Sequence, residues 1–247
     1  MTATDRFHES DPTGFITLER FAAATRFNRW MFNTIRPYCK GHVLEVGSGI
    51  GNISELFLEH GFSLTASDLR DTYCEYLRKR LGQLPGLKDV ISVDLEAPYI
   101  TTQCPQLLGQ FDTVVALNVI EHIENDGLAL ANCWQLLKPG GNLVMLVPAY
   151  QALYNKFDEE LGHFRRYSAR TQRLLLRQSG YEVAHQQYFN LAGIFGWMVN
   201  GQLLKKRLIP RKQLMLFDKL MPVIRLADIL SFRAFGLSTI AIGRKPL

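Results

Sequence analysis

Cysteine is scarce in this sequence, and its four copies show no functional spacing. They stand at positions 39, 74, 104 and 133 of 247 residues, without a C-x-x-C pair or another pattern typical of metal ligands. This distribution offers no disulfide framework and is typical of reduced, mostly structural thiols in a cytosolic protein. The sequence predicts no metal site.

Long apolar runs are also missing. No uninterrupted segment reaches the roughly 20 apolar residues that a membrane-spanning helix needs. The polar residues 1–10 contain no apolar core of a signal peptide. We therefore expect a cytoplasmic protein that is either soluble or attached to the periphery of a membrane.

A strong charge bias is absent as well. The net charge is +5 and the isoelectric point about 9.0, with much of the basic excess near the end of the chain. No stacking motif of the RNA-recognition type is present. Nucleic acid is therefore not an expected partner.

The most informative feature present is a predicted strand that breaks into a glycine loop, V-L-E-V-G-S-G-I-G, at residues 43–51. Val43, Leu44 and Val46 are typical of a strand buried on both faces. Glycines in the loop allow the main chain to approach a ligand closely. A helix predicted over residues 52–60 then directs its free N–H groups toward that ligand. The pattern predicts a site for a nucleotide cofactor.

The spacing of the loop separates two cofactor classes. The dinucleotide fingerprint G-x-G-x-x-G places its third glycine one residue later than Gly51. Glu45 would repel a pyrophosphate, whereas a carboxylate there can hold a cationic amine directly or through water. Both features favour S-adenosylmethionine (SAM), which carries an ammonium and a sulfonium group and no phosphate. A nicotinamide cofactor stays open as the alternative.

Acidic residues follow the next two predicted strands. Asp68 comes after a strand at 63–67 and is placed to accept hydrogen bonds from two ribose hydroxyls. Asp94 and Leu95 come after a strand at 90–93, where an acid can bind the adenine amino group and a leucine can cover the ring. Either aspartate alone could instead cap a helix.

Two further motifs continue the series. N-V-I-E-H-I at 118–123 follows a strongly apolar strand at 111–117. L-K-P-G-G at 137–141 ends a helix predicted over 126–138 and leads into a fifth strand at 142–147.

Together these five elements resemble those of the class I SAM-dependent methyltransferases, most specifically over residues 28–147. The resemblance implies SAM as methyl donor and S-adenosylhomocysteine as product. It also implies an α/β, Rossmann-like, doubly wound sheet of seven strands in the order 3-2-1-4-5-7-6, with the last strand antiparallel. N-terminal helices and a helical insertion before the last strand complete the expected fold.

The resemblance also assigns a cofactor site. Its expected residues are Arg29, Glu45, Gly47, Ser48, Gly49, Asp68, Leu69, Asp94, Leu95, Asn118 and Val119. On a helix folded over the cofactor, Arg29 would pair with the methionine carboxylate. The other interpretation makes it a surface arginine beside Trp30 and Phe27.

Beyond the fifth strand, the chain leaves the sheet on the side where ligands bind. The run G-H-F-R-R-Y at 162–167 resembles a segment that covers the active site in a bacterial subgroup acting on small or lipid-linked metabolites. The expected substrate-binding residues are Tyr150, Tyr154, Phe164, Arg165, Arg166 and Tyr167. The two arginines would bind an anionic group of the substrate, or else pair with the acids at 158–160 and hold the loop shut.

Three residues are candidates for a general base. His163 has a slight lead over His122 and Glu121, because a neutral imidazole can take a proton as the methyl group transfers. In-line positioning of the reactants without any base stays open.

The chain divides into four predicted segments. Residues 1–40 are expected to form an N-terminal arm, loose to about residue 17, and a helical cap, and residues 41–189 the SAM-binding core. Residues 190–235 are expected to form an apolar and basic helical insertion, and residues 236–247 contain the last strand of the core. The insertion carries Lys205, Lys206, Arg207, Arg211, Lys212, Lys219, Arg225 and Arg233. It fits a peripheral contact with anionic lipid, a lid, or a face packed on its own domain or on a dimer partner, and the oligomeric state stays open.

The sequence therefore predicts a methyltransferase for a small, apolar or lipid-linked acceptor. Whether oxygen, nitrogen or carbon is methylated is left open. The alternatives are a nicotinamide-dependent oxidoreductase, a non-catalytic SAM-binding partner protein and a membrane-associated scaffold.

Overall fold

A computed structural model describes residues 12–204 and 210–247. Seven strands form one sheet in the order β3-β2-β1-β4-β5-β7-β6. The strands are β1 (His42–Val46), β2 (Ser63–Asp68), β3 (Leu87–Ser92), β4 (Phe111–Leu117), β5 (Leu137–Pro148), β6 (Glu182–Phe189) and β7 (Ser238–Arg244). The first five run parallel, and β7 is antiparallel to both β5 and β6. The predicted fold class and strand order are confirmed.

Helices cover both faces of this sheet. They are α1 (Pro12–Ala22), α2 (Thr25–Ile35), α3 (Asn52–Glu59), α4 (Asp71–Leu81), α5 (Ile100–Gln103), α6 (Asp126–Leu136), α7 (Lys156–Leu161), α8 (Ala169–Gln178), α9 (Leu191–Trp197), α10 (Arg211–Lys219) and α11 (Met221–Leu230). Short 3-10 turns lie at Arg36–Tyr38, Pro105–Leu107, Ile120–His122 and Gln151–Leu153, and a π-helical stretch continues α9 over Met198–Leu203.

The core forms two layers because neighbouring residues of a buried strand point to opposite faces. Val43 packs with Phe57 of α3 on one face, whereas Leu44 packs with Leu130 of α6 on the other. The near-continuous apolar runs of β1, β4 and β5 follow from this arrangement. It also leaves the carboxyl ends of the strands as the edge where polar side chains meet a ligand.

The N-terminal part differs from the prediction. The expected loose arm extended to about residue 17, but α1 begins at Pro12, so that expectation is wrong for residues 12–17. Proline suits the first turn of a helix, where its missing N–H has no partner to lose. Residues 1–11 of the predicted arm lie outside the described residues.

The insertion before the last strand contains α9, α10 and α11. Within it α10 packs on α1 and α2, and the Phe27 N–H donates to Asp218 Oδ1 at 2.9 Å. The rings of Phe27 and Phe217 meet edge to face at 6.0 Å between centroids. The insertion and the N-terminal helices thus form one roof over the carboxyl ends of β1 and β4. Its basic residues Lys205, Lys206 and Arg207 lie outside the described residues.

No helix in the described parts of the chain combines the length and apolarity required to span a membrane.

Candidate functional site

A cavity of about 870 Å³ lies between the carboxyl ends of the central strands and the roof of α1, α2, α9 and α10. Its floor comes from the loops after β1, β2, β3 and β4. One end is built by the glycine loop and the acids that follow β2 and β3, and is termed the cofactor end. The other end is termed the acceptor end, and it is built by Glu121, His122, Glu160, Leu161, His163 and Arg166.

The glycine loop fits closely against its neighbours. Gly47 has a φ of +66°, and a Cβ on it would lie 2.6 Å from Cγ2 of Val119. A side chain at this position would therefore be strained and would collide with the loop after β4. The main chain at Gly47 and Gly49 is left as a wall of the cavity.

Glu45 supplies a buried carboxylate to the cofactor end. It is 4% exposed, and its Oε2 accepts hydrogen bonds from the Ser48 hydroxyl, at 3.1 Å, and from the Ser54 hydroxyl. Burial raises the pKa of Glu45 to about 7, although the two hydroxyl bonds oppose that rise. A cationic group in the cavity would favour the ionised form of this carboxylate.

Asp68 is fixed at the end of β2 by backbone donors. Its Oδ2 accepts the Gly49 N–H at 3.0 Å and its Oδ1 accepts the Arg70 N–H at 3.1 Å. Burial raises the pKa of Asp68, and the backbone bonds oppose that rise. Because each carboxylate oxygen can accept a second hydrogen bond, both remain available to a diol.

Asp94 and Leu95 complete the cofactor end. The Asp94 Oδ1 accepts the Glu96 N–H at 2.8 Å, and Leu95 is buried in the cavity wall. Asn118, after β4, lies in the left-handed region at a φ of +54° and also lines the cavity. Such strain in a residue other than glycine is typical of functional sites.

Ten of the eleven expected cofactor residues line this cavity, and Arg29 does not. Arg29 is exposed on α2, while its neighbours Asn28 and Met31 line the cavity. The prediction that Arg29 pairs with the methionine carboxylate is corrected accordingly. For the other ten, contact with a cofactor stays a prediction.

Sequence analysis missed the contribution of α1. Leu18 of α1 lies over the loop: its carbonyl accepts from the Asn52 side chain at 3.4 Å, and a Cβ on Gly49 would lie 3.0 Å from its Cδ1. Phe15 stacks on Tyr73 of α4 at 6.3 Å between centroids. The helical spacing of Phe15, Leu18 and Phe21 is the signal that could have revealed this helix.

The acceptor end brings together the three candidate bases. Glu121, His122 and His163 all line the cavity, and their potential ligand atoms lie within 4.8 Å of one another. Glu121 is fully buried, and neither carboxylate oxygen has a hydrogen-bond partner of good geometry among the described residues. Burial raises the pKa of Glu121 to about 8, with its own backbone N–H and the charge of Arg166 opposing the rise.

A buried ion pair orients one of these residues. Asp158 is fully buried, and its Oδ1 lies 2.8 Å from His163 Nδ1 and 2.8 Å from Arg166 Nε. The hydrogen bond from His163 and the charge of Arg166 lower the pKa of Asp158, although burial opposes them. Because an ionised carboxylate accepts and cannot donate, Nδ1 of His163 carries a proton in this hydrogen bond, and in the neutral imidazole the lone pair then lies on Nε2.

Of the six expected substrate residues, only Arg166 lines the cavity. Arg165 Nη1 pairs with Asp126 at 2.9 Å, and the Tyr167 hydroxyl donates to the same carboxylate. The Tyr154 hydroxyl donates to the His163 carbonyl at 2.7 Å. These contacts brace the loop, although Arg165 pairs with Asp126 and not with the acids at 158–160. Arg166 is the arginine that pairs with one of those acids, Asp158.

The two remaining residues of that set also lie outside the cavity wall. The ring of Tyr150 stacks on Tyr188 at 5.1 Å between centroids. Phe164 lies beneath the Arg165 guanidinium, and its N–H donates to the Glu121 carbonyl at 2.8 Å. Tyr150, Tyr154, Phe164, Arg165 and Tyr167 thus lie outside the cavity wall, and their contacts support the loop that carries His163. Contact of these five residues with a substrate stays a prediction.

The cofactor end fits SAM chemically. Buried Glu45 offers a carboxylate for a cation, Asp68 presents two fixed oxygens for a diol, and Asp94 lies beside apolar Leu95 for an amino-bearing ring. A pyrophosphate would meet these three acids without a matching set of cations. Within the described residues, Arg70 and Arg166 are the arginines that line the cavity.

Comparison with known proteins adds to this geometry. A family model described as a methyltransferase domain matches residues 19–186. A curated relative named ubiquinone biosynthesis O-methyltransferase, from Xanthomonas oryzae pathovar oryzae, is 28% identical over 162 residues. The match covers 58% of this chain and 62% of that relative, so the chain spans less than two thirds of its length.

Solved structures show the same fold. A putative methyltransferase from Bacillus halodurans superposes with a TM-score of 0.57 at 18% identity, covering 87% of this chain and 99% of that one. Phosphoethanolamine N-methyltransferase 2 from Haemonchus contortus, solved in complex with SAM, superposes with a TM-score of 0.57 at 14% identity. This superposition covers 89% of this chain and 52% of that one.

Proposed function

Because the chain belongs to the class I SAM-dependent methyltransferase family, we propose that it transfers a methyl group from SAM to a hydroxyl of a small, apolar or lipid-linked acceptor. The names of the curated relatives favour oxygen as the methylated atom. The nicotinamide-dependent alternative finds no support in these comparisons.

The observation that carries the choice of acceptor is the apolar mouth of the cavity. Four apolar side chains line the cavity and are also exposed: Phe195 (67%), Leu216 (58%), Leu220 (48%) and Val199 (43%). The cavity therefore reaches the surface between apolar side chains of α9 and α10 and the residues beside them. An apolar acceptor would enter there and exclude water from the reacting groups.

SAM supplies an electrophilic methyl group on a positively charged sulfur. Glu45 and Asp68 would hold the ammonium and the ribose. In the transfer, the acceptor oxygen would form a bond to the methyl carbon while the carbon–sulfur bond breaks, the electron pair of that bond would stay on sulfur, and one proton would leave the acceptor. We place the acceptor hydroxyl beside Glu121, His122 and His163, where it would lose this proton.

The exposed face around the mouth is proposed to contact an anionic bilayer. Val223, Leu226 and Leu230 of α11 are 65%, 55% and 68% exposed and recur at helical spacing. Basic side chains are also exposed on α10 and α11, namely Arg211, Lys212, Lys219 and Arg225. Apolar side chains with flanking basic groups suit the interface of an anionic membrane, where a lipid-linked acceptor would be held.

The test is transfer from methyl-labelled SAM into a cell extract divided into lipid and aqueous fractions. We expect label in a lipid-soluble product, and much less label with the Asp68→Ala variant at a SAM concentration that does not saturate it. Label confined to water-soluble products would contradict the acceptor class. No label in any fraction, with SAM still bound, would favour the non-catalytic partner protein.

A further inference from the structure

We propose that Glu121, His122 and His163 form a binding site for a divalent transition-metal ion of the zinc type. The sequence predicted no metal site, because His163 comes 41 residues after His122 in a different loop. Only the fold brings the three side chains together, at the acceptor end of the cavity.

The ligand set is suitable for such an ion. Two imidazoles and one carboxylate form a known catalytic zinc set that leaves coordination positions open. Their potential ligand atoms lie within 4.8 Å of one another. In a tetrahedral zinc site with bonds of about 2.0–2.2 Å, the ligand atoms lie about 3.3–3.6 Å apart. The three side chains therefore need to close by up to about 1.5 Å.

Glu121 points independently to a missing ligand. Its side chain is completely buried at the cavity wall, yet both carboxylate oxygens lack a hydrogen-bond partner among the described residues. A buried carboxylate without a partner is costly to the folded state, whereas a cation between Glu121 and the two imidazoles would satisfy it.

The surroundings hold His163 in the form that binds metal. Its Nδ1–H is bonded to Asp158, so the neutral imidazole presents its Nε2 lone pair to a cation, and Arg166 binds the same Asp158 oxygen. A carboxylate behind a metal-binding histidine is the usual second-layer arrangement. Gly162 ends α7 at a φ of +77°, and the His163 N–H then donates to the Asp158 carbonyl at 2.8 Å.

His122 completes the site from the 3-10 turn after β4. Its ring meets that of His163 edge to face, with 4.6 Å between centroids. The turn is fixed by a hydrogen bond from the His122 N–H to the Val119 carbonyl at 2.9 Å. Val119 in turn packs against Gly47, so the metal site and the cofactor loop share one rigid connection.

The chemical role rests on the proposed function. A divalent cation lowers the pKa of a bound hydroxyl, so that the acceptor oxygen loses its proton to water before methylation. Metal binding itself does not depend on the identity of the acceptor.

The test is titration of chelator-treated protein with Zn²⁺, and with Co²⁺ as a spectroscopic probe. We expect one equivalent to bind, and a visible absorption band with Co²⁺. His122→Ala and His163→Ala should each weaken Zn²⁺ binding at least tenfold and remove the Co²⁺ band. His185→Gln, which alters a histidine on β6 outside the cavity, is the matched control and should change neither measurement.

Binding of S-adenosylhomocysteine to the same metal-free samples separates this proposal from the proposed function. The absence of stoichiometric Zn²⁺ binding in protein that still binds S-adenosylhomocysteine would overturn the metal site alone. Unchanged Zn²⁺ binding in both histidine variants would also overturn it. Loss of S-adenosylhomocysteine binding with Zn²⁺ binding intact would instead count against the methyltransferase assignment.

Discussion

At the scale of single residues, the cofactor end depends on carboxylates that the fold keeps out of water. Glu45 is 4% exposed and Asp68 is 9% exposed, and burial raises the pKa of both. Each is fixed by donors of the glycine loop or of α3. Burial of these two carboxylates is unfavourable, and a ligand that carries a cationic group and a diol would offset this cost.

Replacement of Asp68 by alanine should weaken SAM binding by roughly ten- to a hundredfold. Two charge-assisted hydrogen bonds to the ribose would be lost, and a bond of this type contributes about 1.5–3 kcal/mol. Calorimetric titration measures the effect. Asp89→Ala, an exposed acid on β3, is the control and should bind SAM normally. Normal affinity in folded Asp68→Ala protein would mean that the ribose site is placed wrongly.

Replacement of Glu45 by glutamine should stabilise the ligand-free protein increasingly as the pH rises. The pKa of Glu45 in the folded protein, about 7, lies above the usual 4.5, so the free energy of unfolding of the wild type is highest at low pH and falls between pH 4.5 and 7. The variant does not show this fall, and its free energy of unfolding should exceed that of the wild type by about 3 kcal/mol above pH 7. Urea unfolding at pH 5 and pH 8 measures it; equal differences at both values would contradict the raised pKa.

At the scale of elements, the segment from Asn155 to Tyr167 supports the acceptor end. Asn155 caps α7 in a capping box with Asp158, so one carboxylate both starts this helix and holds His163 and Arg166. The Arg166 guanidinium also stacks on Trp197 of α9 at 4.5 Å. The buried ion pair therefore links the loop to the insertion, together with the contact between the rings of Phe157 and Trp197.

Asp158→Asn should destabilise the protein by about 3–5 kcal/mol. Removal of one partner leaves the Arg166 charge buried without compensation. Glu55→Gln is the control, because its pair with Arg80 is partly exposed and should contribute less than about 1 kcal/mol. Denaturant midpoints compare the two variants. Similar small losses would show that the buried pair does not hold the loop.

The sequence predicted ten of the residues that line the cofactor end, because these residues lie in or directly after strands. Asp68 and Asn118 are each positioned by the strand before them, and Gly47 by a local turn. The acceptor loop was predicted poorly, since the directions of Arg165 and Tyr167 are set by Asp126, which lies on a distant helix. No local pattern contains that information.

At the scale of the whole molecule, one roof connects two separate parts of the chain. Helices α1 and α2 precede the sheet and α10 belongs to the insertion before its last strand, yet they pack together above β1 and β4. The apolar mouth of the cavity lies in this roof and continues into the exposed face of α11. Entry of an apolar acceptor and contact with a membrane are thus proposed for one surface.

Leu226→Glu should reduce binding to vesicles containing phosphatidylglycerol by at least about tenfold. Burial of a leucine side chain in an apolar environment contributes about 1.5–3 kcal/mol to binding, and the variant loses this contribution. The new negative charge is also repelled by anionic lipid. Leu174→Glu on α8 is the control, since Leu174 is 53% exposed and Leu226 is 55% exposed. Flotation measures binding. Equal flotation of both variants and the wild type would remove the proposed membrane face.

The central claim is that the cofactor end binds SAM, and parallel calorimetric titrations with SAM, S-adenosylhomocysteine and NAD test it most directly. The acids at Glu45, Asp68 and Asp94 predict micromolar binding of the first two compounds and no binding of the third. No binding of SAM, or a preference for NAD, would contradict the account.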